Sequence, residues 1–232
     1  MGDPLLTTIE ILYEDDALIF VNKPPHLIVQ RAYDPDETTL VDLVAQHAQE
    51  TVFLMQRLDR GTSGVIFFSK SHRINAKLTR QFEARRIRKR YIAIAEGFLG
   101  ENQTIDAPLA RIGAIKFAVR DDGRRAVTHV HPRIATRNGS LLDITLETGR
   151  THQIRVHLAA IDHALAGDWL YGSRNADRPM LHAAELEMTH PLTNETLRVA
   201  APPPADFLEE LKRREIVSHE GHNVLAVAHV ND

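Results

Sequence analysis

The sequence predicts a single α+β domain, strands and helices mixed around one core, and three observations carry that prediction. Short apolar runs of strand length alternate along the chain with longer stretches whose apolar residues recur every three or four positions. Clusters of Pro, Gly, Asn and Asp punctuate them. A length of 232 residues at 43% hydrophobic content suits one substantial core, and no internal repeat or biased linker divides it.

The elements follow in order. "EILYEDDALIFVNKPPHLIVQ" reads as a strand, an acidic turn and a second strand over residues 17–21. Pro24 and Pro25 then stop any helix and force an extended loop. "TTLVDLVAQHAQ" places Leu40, Val41, Val44 and Ala48 on one side of a short amphipathic helix. "TVFLM" and "VIFFS" are strand-length apolar runs predicted to pair, with Asp59 on their connection. "SHRINAKLTRQFEARRIRKR" reads as a helix begun by Ser71, with Ile74, Leu78 and Phe82 as its core stripe and Arg73, Lys77 and Arg80 on another face. It runs into "YIAIAEG", where alternation puts Tyr91, Ala93 and Ala95 on one side of a strand and Ile92 and Ile94 on the other. A loop-rich middle follows, with Asp122-Gly123 as a hairpin-turn signal. "LLDITLETGR" reads as a strand, "THQIRVHLAAI" as a helix capped by Thr151, "LHAAELEMTHPLTNETLRV" as a hairpin, and "ADFLEELKRREI" as a last amphipathic helix. The tail from residue 218 carries no pattern that assigns it a structure or a role.

Composition narrows the function classes. No 18-residue apolar run is present, and the amino terminus lacks the basic, apolar and small-residue sections of a signal peptide, so a cytoplasmic protein with no membrane partner is expected. Cysteine is absent, which leaves His, Asp and Glu as the strong metal ligands. The histidines, His129, His131, His152, His157, His182 and His190 among them, show no ligand spacing. His152 and His157 stand five apart, about 140° around a helix, so structural roles and no catalytic metal are expected. The net charge is −3, yet residues 70–90 hold nine Lys or Arg against one acid, Glu83, a local +8 on a remainder of −11. That footprint suits a polyanion docking in one place, or a solvated helix face.

Three places can carry chemistry. In "MQRLDRGTSGVIFFSK", an extended chain would turn Arg57 and Asp59 to one side and Leu58 to the core. Arg57 would favour the ionised carboxylate, making Asp59 a nucleophile or general base; alternatively Asp59 only accepts hydrogen bonds from its own turn, from Thr62 or Ser63. In "ETGRTHQIRVHLAA", Arg150, His152, Arg155 and His157 gather at a helix start, as an anion site or as partners for a buried carboxylate. Tyr91, with small neighbours Ala93 and Ala95, offers a ring for stacking or simply fills the core.

Five blocks in order, "YEDDALIFVNKPPHLIV", "QRLDRGTSGVIFFSKS", "QFEARRIRKRYIAIAEG", "ETGRTHQIRVHLAAIDHALAGDWLYG" and "LHAAELEMTHPLTNETLRVAAPPPADF", resemble the RluA-type family of pseudouridine synthases over about residues 10–208. The resemblance implies a pseudouridine synthase fold, a mixed and mostly antiparallel central sheet with flanking helices and loops. It implies isomerisation of specific uridines in a structured RNA, transfer or ribosomal, to pseudouridine. By position, the family's catalytic aspartate falls on Asp59, the arginine that replaces the flipped base on Arg57, the stacking tyrosine on Tyr91, the partner of the aspartate on Arg155 and an apolar pocket wall on Leu181. Phosphates are expected to meet Arg73, Lys77, Arg80, Arg88, Lys89 and Arg90. No cofactor is expected, because the reaction involves neither redox change nor group transfer between molecules. A monomer without an obligate protein partner is the expected state. The chain departs from the family pattern at Gln56, where members have His, and at Pro25 and His26, where they have a small residue and Gly. The amino-terminal S4 domain of some members is not expected here, so recognition is expected to fall to the catalytic domain. Two other classes compete: an RNA binder that keeps the fold without catalysis, and a nucleoside hydrolase, for which no second carboxylate stands at an identifiable spacing.

Overall fold

A computed structural model describes residues 9–31 and 34–216; the tail from 218 lies outside the described residues. Twelve strands and four helices are present among them. The strands are β1 (Glu10–Glu14), β2 (Leu18–Lys23), β3 (Phe53–Leu54), β4 (Ser63–Ser69), β5 (Arg88–Ala95), β6 (Gln103–Asp106), β7 (Leu109–Arg111), β8 (Phe117–Val119), β9 (Val127–Thr136), β10 (Gly139–Leu146), β11 (Leu181–Thr189) and β12 (Thr196–Ala200). The helices are α1 (Leu40–Ala48), α2 (His72–Glu83), α3 (Gln153–Ala160) and α4 (Ala205–Arg213).

Ten strands form one mixed sheet in the order β1-β2-β4-β11-β5-β10-β9-β6, with β3 added to β4 and β12 to β11. Every pairing is antiparallel except β4 with β11, which run parallel through Ser63 with His182 and Gly64 with Ala183. That single parallel contact places the start of β4, and so the Asp59 turn, against the start of β11. Gly64 makes it possible: its φ is +112°, and a Cβ there would lie 2.2 Å from the Ala183 carbonyl oxygen. β5 divides as its alternation predicts. Tyr91, Ala93 and Ala95 join the larger core cluster with residues of α1, α2 and α3, while Ile92 and Ile94 pack with Phe207 and Leu211 of α4 in a second cluster.

Helix α1 starts on a capping box, in which the Thr39 hydroxyl accepts from the Asp42 amide and the Asp42 carboxylate accepts from the Thr39 amide. The remaining differences from sequence have local causes. Ser71 stands at the cap of α2 but makes no side-chain cap bond; its amide is taken up by the Ser69 hydroxyl. α2 ends at Glu83, because Arg85 turns to φ +54° and residues 88–90 are drawn into β5 by pairing with β10 and β11. Pairing overrides the helix propensity of an arginine-rich stretch here. Thr151 does not cap α3. His152 is the cap residue, at φ +57°, and the Gln153 side chain accepts from the Arg150 amide and the Thr148 hydroxyl. Asp122-Gly123 forms a turn, yet β8 and β9 do not pair; β8 pairs with β7, and the turn leads Arg124 into a bridge with Leu109. The middle is more ordered than its sequence suggests, for it holds β6 to β9.

Candidate active site

Asp59 sits on the turn between β3 and β4, after the chain has left its strand. Leu58 is buried beside it, and Arg57 projects into solvent. The backbone carbonyl of Asp59 closes the turn by accepting from the Thr62 amide at 3.0 Å, and the Ser63 hydroxyl bonds to His182 Nδ1 at 3.0 Å. The turn is thus satisfied without the Asp59 carboxylate, which is left for other partners. Two buried cations fix the backbone that follows. Lys23 Nζ donates to the carbonyls of Pro24, Leu27 and Arg60 at 2.9, 2.7 and 3.1 Å. Arg178 donates to Gly61 O at 2.9 Å while forking onto Asp206 at 2.6 and 2.9 Å. Burial pulls the Lys23 ammonium down to about 7, Arg178 adds to this and Asp59 opposes it.

The cation beside Asp59 comes from far along the chain. Arg155, buried on α3, donates from Nη1 to Asp59 Oδ2 at 3.0 Å, and from Nε and Nη2 to the two oxygens of Asp168 at 2.7 and 2.9 Å. Burial lowers the affinity of this guanidinium for its proton, and the two carboxylates more than offset that, so Arg155 stays charged. Its fork onto Asp168, which is 0% exposed, fixes the plane of the guanidinium and leaves one N–H aimed at Asp59. Arg57, which the sequence offers as the neighbouring cation, makes no ion pair with Asp59. Among the described residues it has no hydrogen-bond or ion-pair partner.

Asp59, Arg57, Tyr91, Arg155 and Leu181 line one cavity of about 70 Å³. It shares Arg57, Asp59, Tyr91 and Arg150 with a wider cleft of about 760 Å³ that also reaches Lys89. Tyr91 is 8% exposed. Burial, then the Asp59 charge, pushes its hydroxyl above the ordinary tyrosine range, so the ring faces the cleft neutral. Leu181 pairs with Ala93 and so stands beside Tyr91 on the adjacent strand. His157 is structural, bonded to Thr128 and Ala107. His152 is not confined to a structural role: it lines the cavity with Nε2 3.7 Å from Asp59 Oδ2. Among the described residues, no group of three or more His, Asp or Glu could hold a metal ion.

The cations divide into two sets. Lys89 lies at the cleft with its ammonium 4.9 Å above the Phe82 ring, and burial lowers it to about 8. Arg90 is tied to Asp143 at 2.8 Å and Glu185 at 3.8 Å, and Arg88 to Glu187 at 3.4 Å; with Lys89 they line an adjoining cleft. Arg73, Lys77 and Arg80 are exposed on α2 and do not line the Asp59 cavity. Lys77 donates to Pro191 O at 2.9 Å and, with Arg80, borders a separate groove. Asp168 and Tyr171 belong to the site without having been singled out by their residue types. The available signal was an acid ending the apolar run at residues 164–166, which needs a cation once buried.

One carboxylate, clamped through one oxygen by a buried guanidinium and sharing a cavity with a neutral tyrosine ring, defines a site for covalent or acid–base chemistry on a planar ligand. A family model described as RNA pseudouridylate synthase matches residues 17–160. The chain is 41% identical over 211 residues to the uncharacterized RNA pseudouridine synthase YhcT of Bacillus subtilis, covering 86% of this chain and 70% of the relative. It is 36% identical over 226 residues to ribosomal large subunit pseudouridine synthase D of Haemophilus influenzae, covering 88% and 70%. Human RNA pseudouridylate synthase domain containing 1 matches in three dimensions with a TM-score of 0.73 and 25% identity, covering 88% of this chain and 87% of that one. The chain belongs to the RNA pseudouridylate synthase family, RluA type. It is an RNA pseudouridine synthase, an isomerase of uridine in RNA.

Proposed function

We propose that the chain, residues 1–232, is one catalytic domain with its core at about residues 10–208, and that Asp59 is its nucleophile. The observation that carries this reading is the carboxylate itself. Oδ2 is held by Arg155, while Oδ1 has no hydrogen-bond partner among the described residues, in the same cavity as Tyr91. The reaction breaks the bond from uracil N1 to the sugar, turns the base and joins C5 to the same sugar carbon. The C5 proton leaves and N1 takes one up, so no atom is gained or lost. Asp59 Oδ1 attacks either C6 of the base or the first carbon of the sugar, and both routes use the same clamp. Tyr91 stacks on the free base, and its hydroxyl assists proton removal at C5. Leu181 forms the apolar wall.

A base inside a stack cannot meet Asp59, so the nucleotide swings out at a cost of a few kcal/mol, and the unpaired Arg57 takes its place. Lys89 and the exposed guanidinium of Arg88 meet phosphates at the cleft, Arg90 shapes its wall, and Arg73, Lys77 and Arg80 meet a more distant part of the same RNA. Several relatives are named ribosomal large subunit pseudouridine synthase D, so large-subunit ribosomal RNA is the first substrate to examine. The protein works as a cytoplasmic monomer without cofactor; among the described residues no helix is long and apolar enough to cross a membrane.

The test is Asp59→Asn, with release of tritium from uracil C5 as the readout. We expect single-turnover release to fall by at least about 10⁴-fold while RNA affinity stays within about twofold. Release near the wild-type rate would remove Asp59 from the mechanism.

A further inference from the structure

His152 is the cap residue of α3 and stands in the left-handed region, at φ +57° and ψ +18°. For a residue with a Cβ that conformation costs about 1–2 kcal/mol, and strain of this kind persists where surrounding contacts fix a side chain for a purpose. Those contacts are identifiable. The Phe117 amide on β8 donates to the Tyr171 hydroxyl at 3.0 Å, and the same hydroxyl lies 2.9 Å from His152 Nδ1. A backbone amide only donates, so it occupies one lone pair of the Tyr171 oxygen. The phenolic proton then has Nδ1 as its only acceptor among the described residues. With Nδ1 taking that proton, the imidazole proton falls on Nε2, the nitrogen that faces Asp59 Oδ2 at 3.7 Å. Burial, and after it the Arg155 charge, hold the ring below the ordinary histidine range against the pull of Asp59, so it is neutral. The face of the Tyr171 ring lies under Arg155, whose guanidinium carbon is 5.1 Å from the ring centre.

We propose that His152 is a positioning residue for Asp59: through an Nε2–H fixed by Tyr171 and the Phe117 amide, it supports Oδ2 alongside Arg155 and leaves Oδ1 as the reacting oxygen. This rests on reading Asp59 as the nucleophile. The separation of 3.7 Å is longer than a hydrogen bond, and catalytic contacts of this kind tighten when substrate enters. Because the third member of the chain is an amide of β8, the short β7–β8 hairpin is connected by hydrogen bonds to His152, the neighbour of the Asp59 carboxylate, although it pairs with no strand of the main sheet.

The substrate for the test is total RNA labelled with tritium at uracil C5 and taken from cells lacking the gene, assayed with excess enzyme. His152→Gln keeps an N–H near the Nε2 position and should release tritium within about threefold of wild type. His152→Leu loses it and should fall by about tenfold to a hundredfold, the value of one hydrogen bond to a charged group, with RNA affinity within about twofold. Tyr171→Phe removes the proton that Nδ1 accepts, so the neutral ring should redistribute between tautomers and its pKa should rise. Nitrogen-15 NMR of labelled histidine reads both. Wild-type protein with the proton on Nδ1 overturns the proposal whatever the variants do, including a Leu variant that fails to fold. So does a His152→Leu enzyme at the wild-type rate, or a Gln variant no better than Leu. Those results would leave Asp59 in place, whereas retained activity in Asp59→Asn would remove the nucleophile itself.

Discussion

The Asp59 site and the cationic face of α2 are both collections of charge, built in opposite ways. At the site, Arg155 is 7% exposed and Asp168 is 0% exposed, and each side chain has a partner that fixes its orientation. On α2, the side chains of Arg73 and Arg80 stand in water without hydrogen-bond or ion-pair partners among the described residues. Buried charges are costly to leave unpaired, so they are held in one geometry and lend that geometry to a reacting atom. Exposed charges cost little and keep many geometries, which suits a phosphate backbone whose path varies. On the proposed reading, chemistry and grip thus fall in different dielectric surroundings.

Arg155→Met tests the buried side most severely. It leaves the Asp168 carboxylate without its counter-ion, and we expect a loss of about 3–5 kcal/mol in urea unfolding together with loss of isomerisation. Adding Asp168→Leu should restore most of the stability and none of the activity. A single variant that unfolds like wild type would show that the pair is not the rigid support described here.

A smaller effect comes from His182, buried under the Asp59 turn between Ser63 Oγ and Ala201 O. Burial lowers its pKa from 6.5 to about 4, and hydrogen bonding to Ala201 only partly opposes this. Between those values the unfolded chain binds a proton that the folded protein refuses, so stability falls as the pH drops from 6.5 towards 4 and levels off below. The contribution is on the order of 3 kcal/mol. Urea midpoints of His182→Gln and wild type across that range should diverge, the variant having the flatter pH profile. Parallel profiles would place the acid sensitivity elsewhere.

The smallest effects belong to the exposed face. Arg73→Gln and Arg80→Gln should each flatten the slope of log affinity against log salt by about 0.7–0.9 and weaken RNA binding modestly. The rate at saturating RNA should stay within about twofold of wild type. A large fall in that rate from either change would erase the distinction between the two regions.

Much of the fold is legible because it is local. The capping box of α1 is written in Thr39 and Asp42, and the two faces of β5 in the alternation of Tyr91 to Ala95. The middle is not, because its strands carry alternating polar residues and Pro132 lies next to a bulge where the β9–β10 register shifts. Asn138-Gly139, which joins β9 to β10, was the available hairpin signal there.

The sequence by itself determined which segments are strands and helices over most of the chain, and which aspartate, tyrosine and arginine occupy the family's positions. These follow from periodicity, turn chemistry and ordered motifs, all of which act over a few residues. Only the tertiary structure decided that β4 meets β11 in parallel, that Arg57 leaves Asp59 to the Arg155 the family pattern names, and that Asp168, Tyr171 and His152 stand behind that pair. Asp59 and Arg155 are 96 positions apart, Ser63 and His182 are 119 apart. The pairing of buried polar groups across such distances is set by which partners remain once the sheet has closed and water is gone, and no local rule along the chain encodes that.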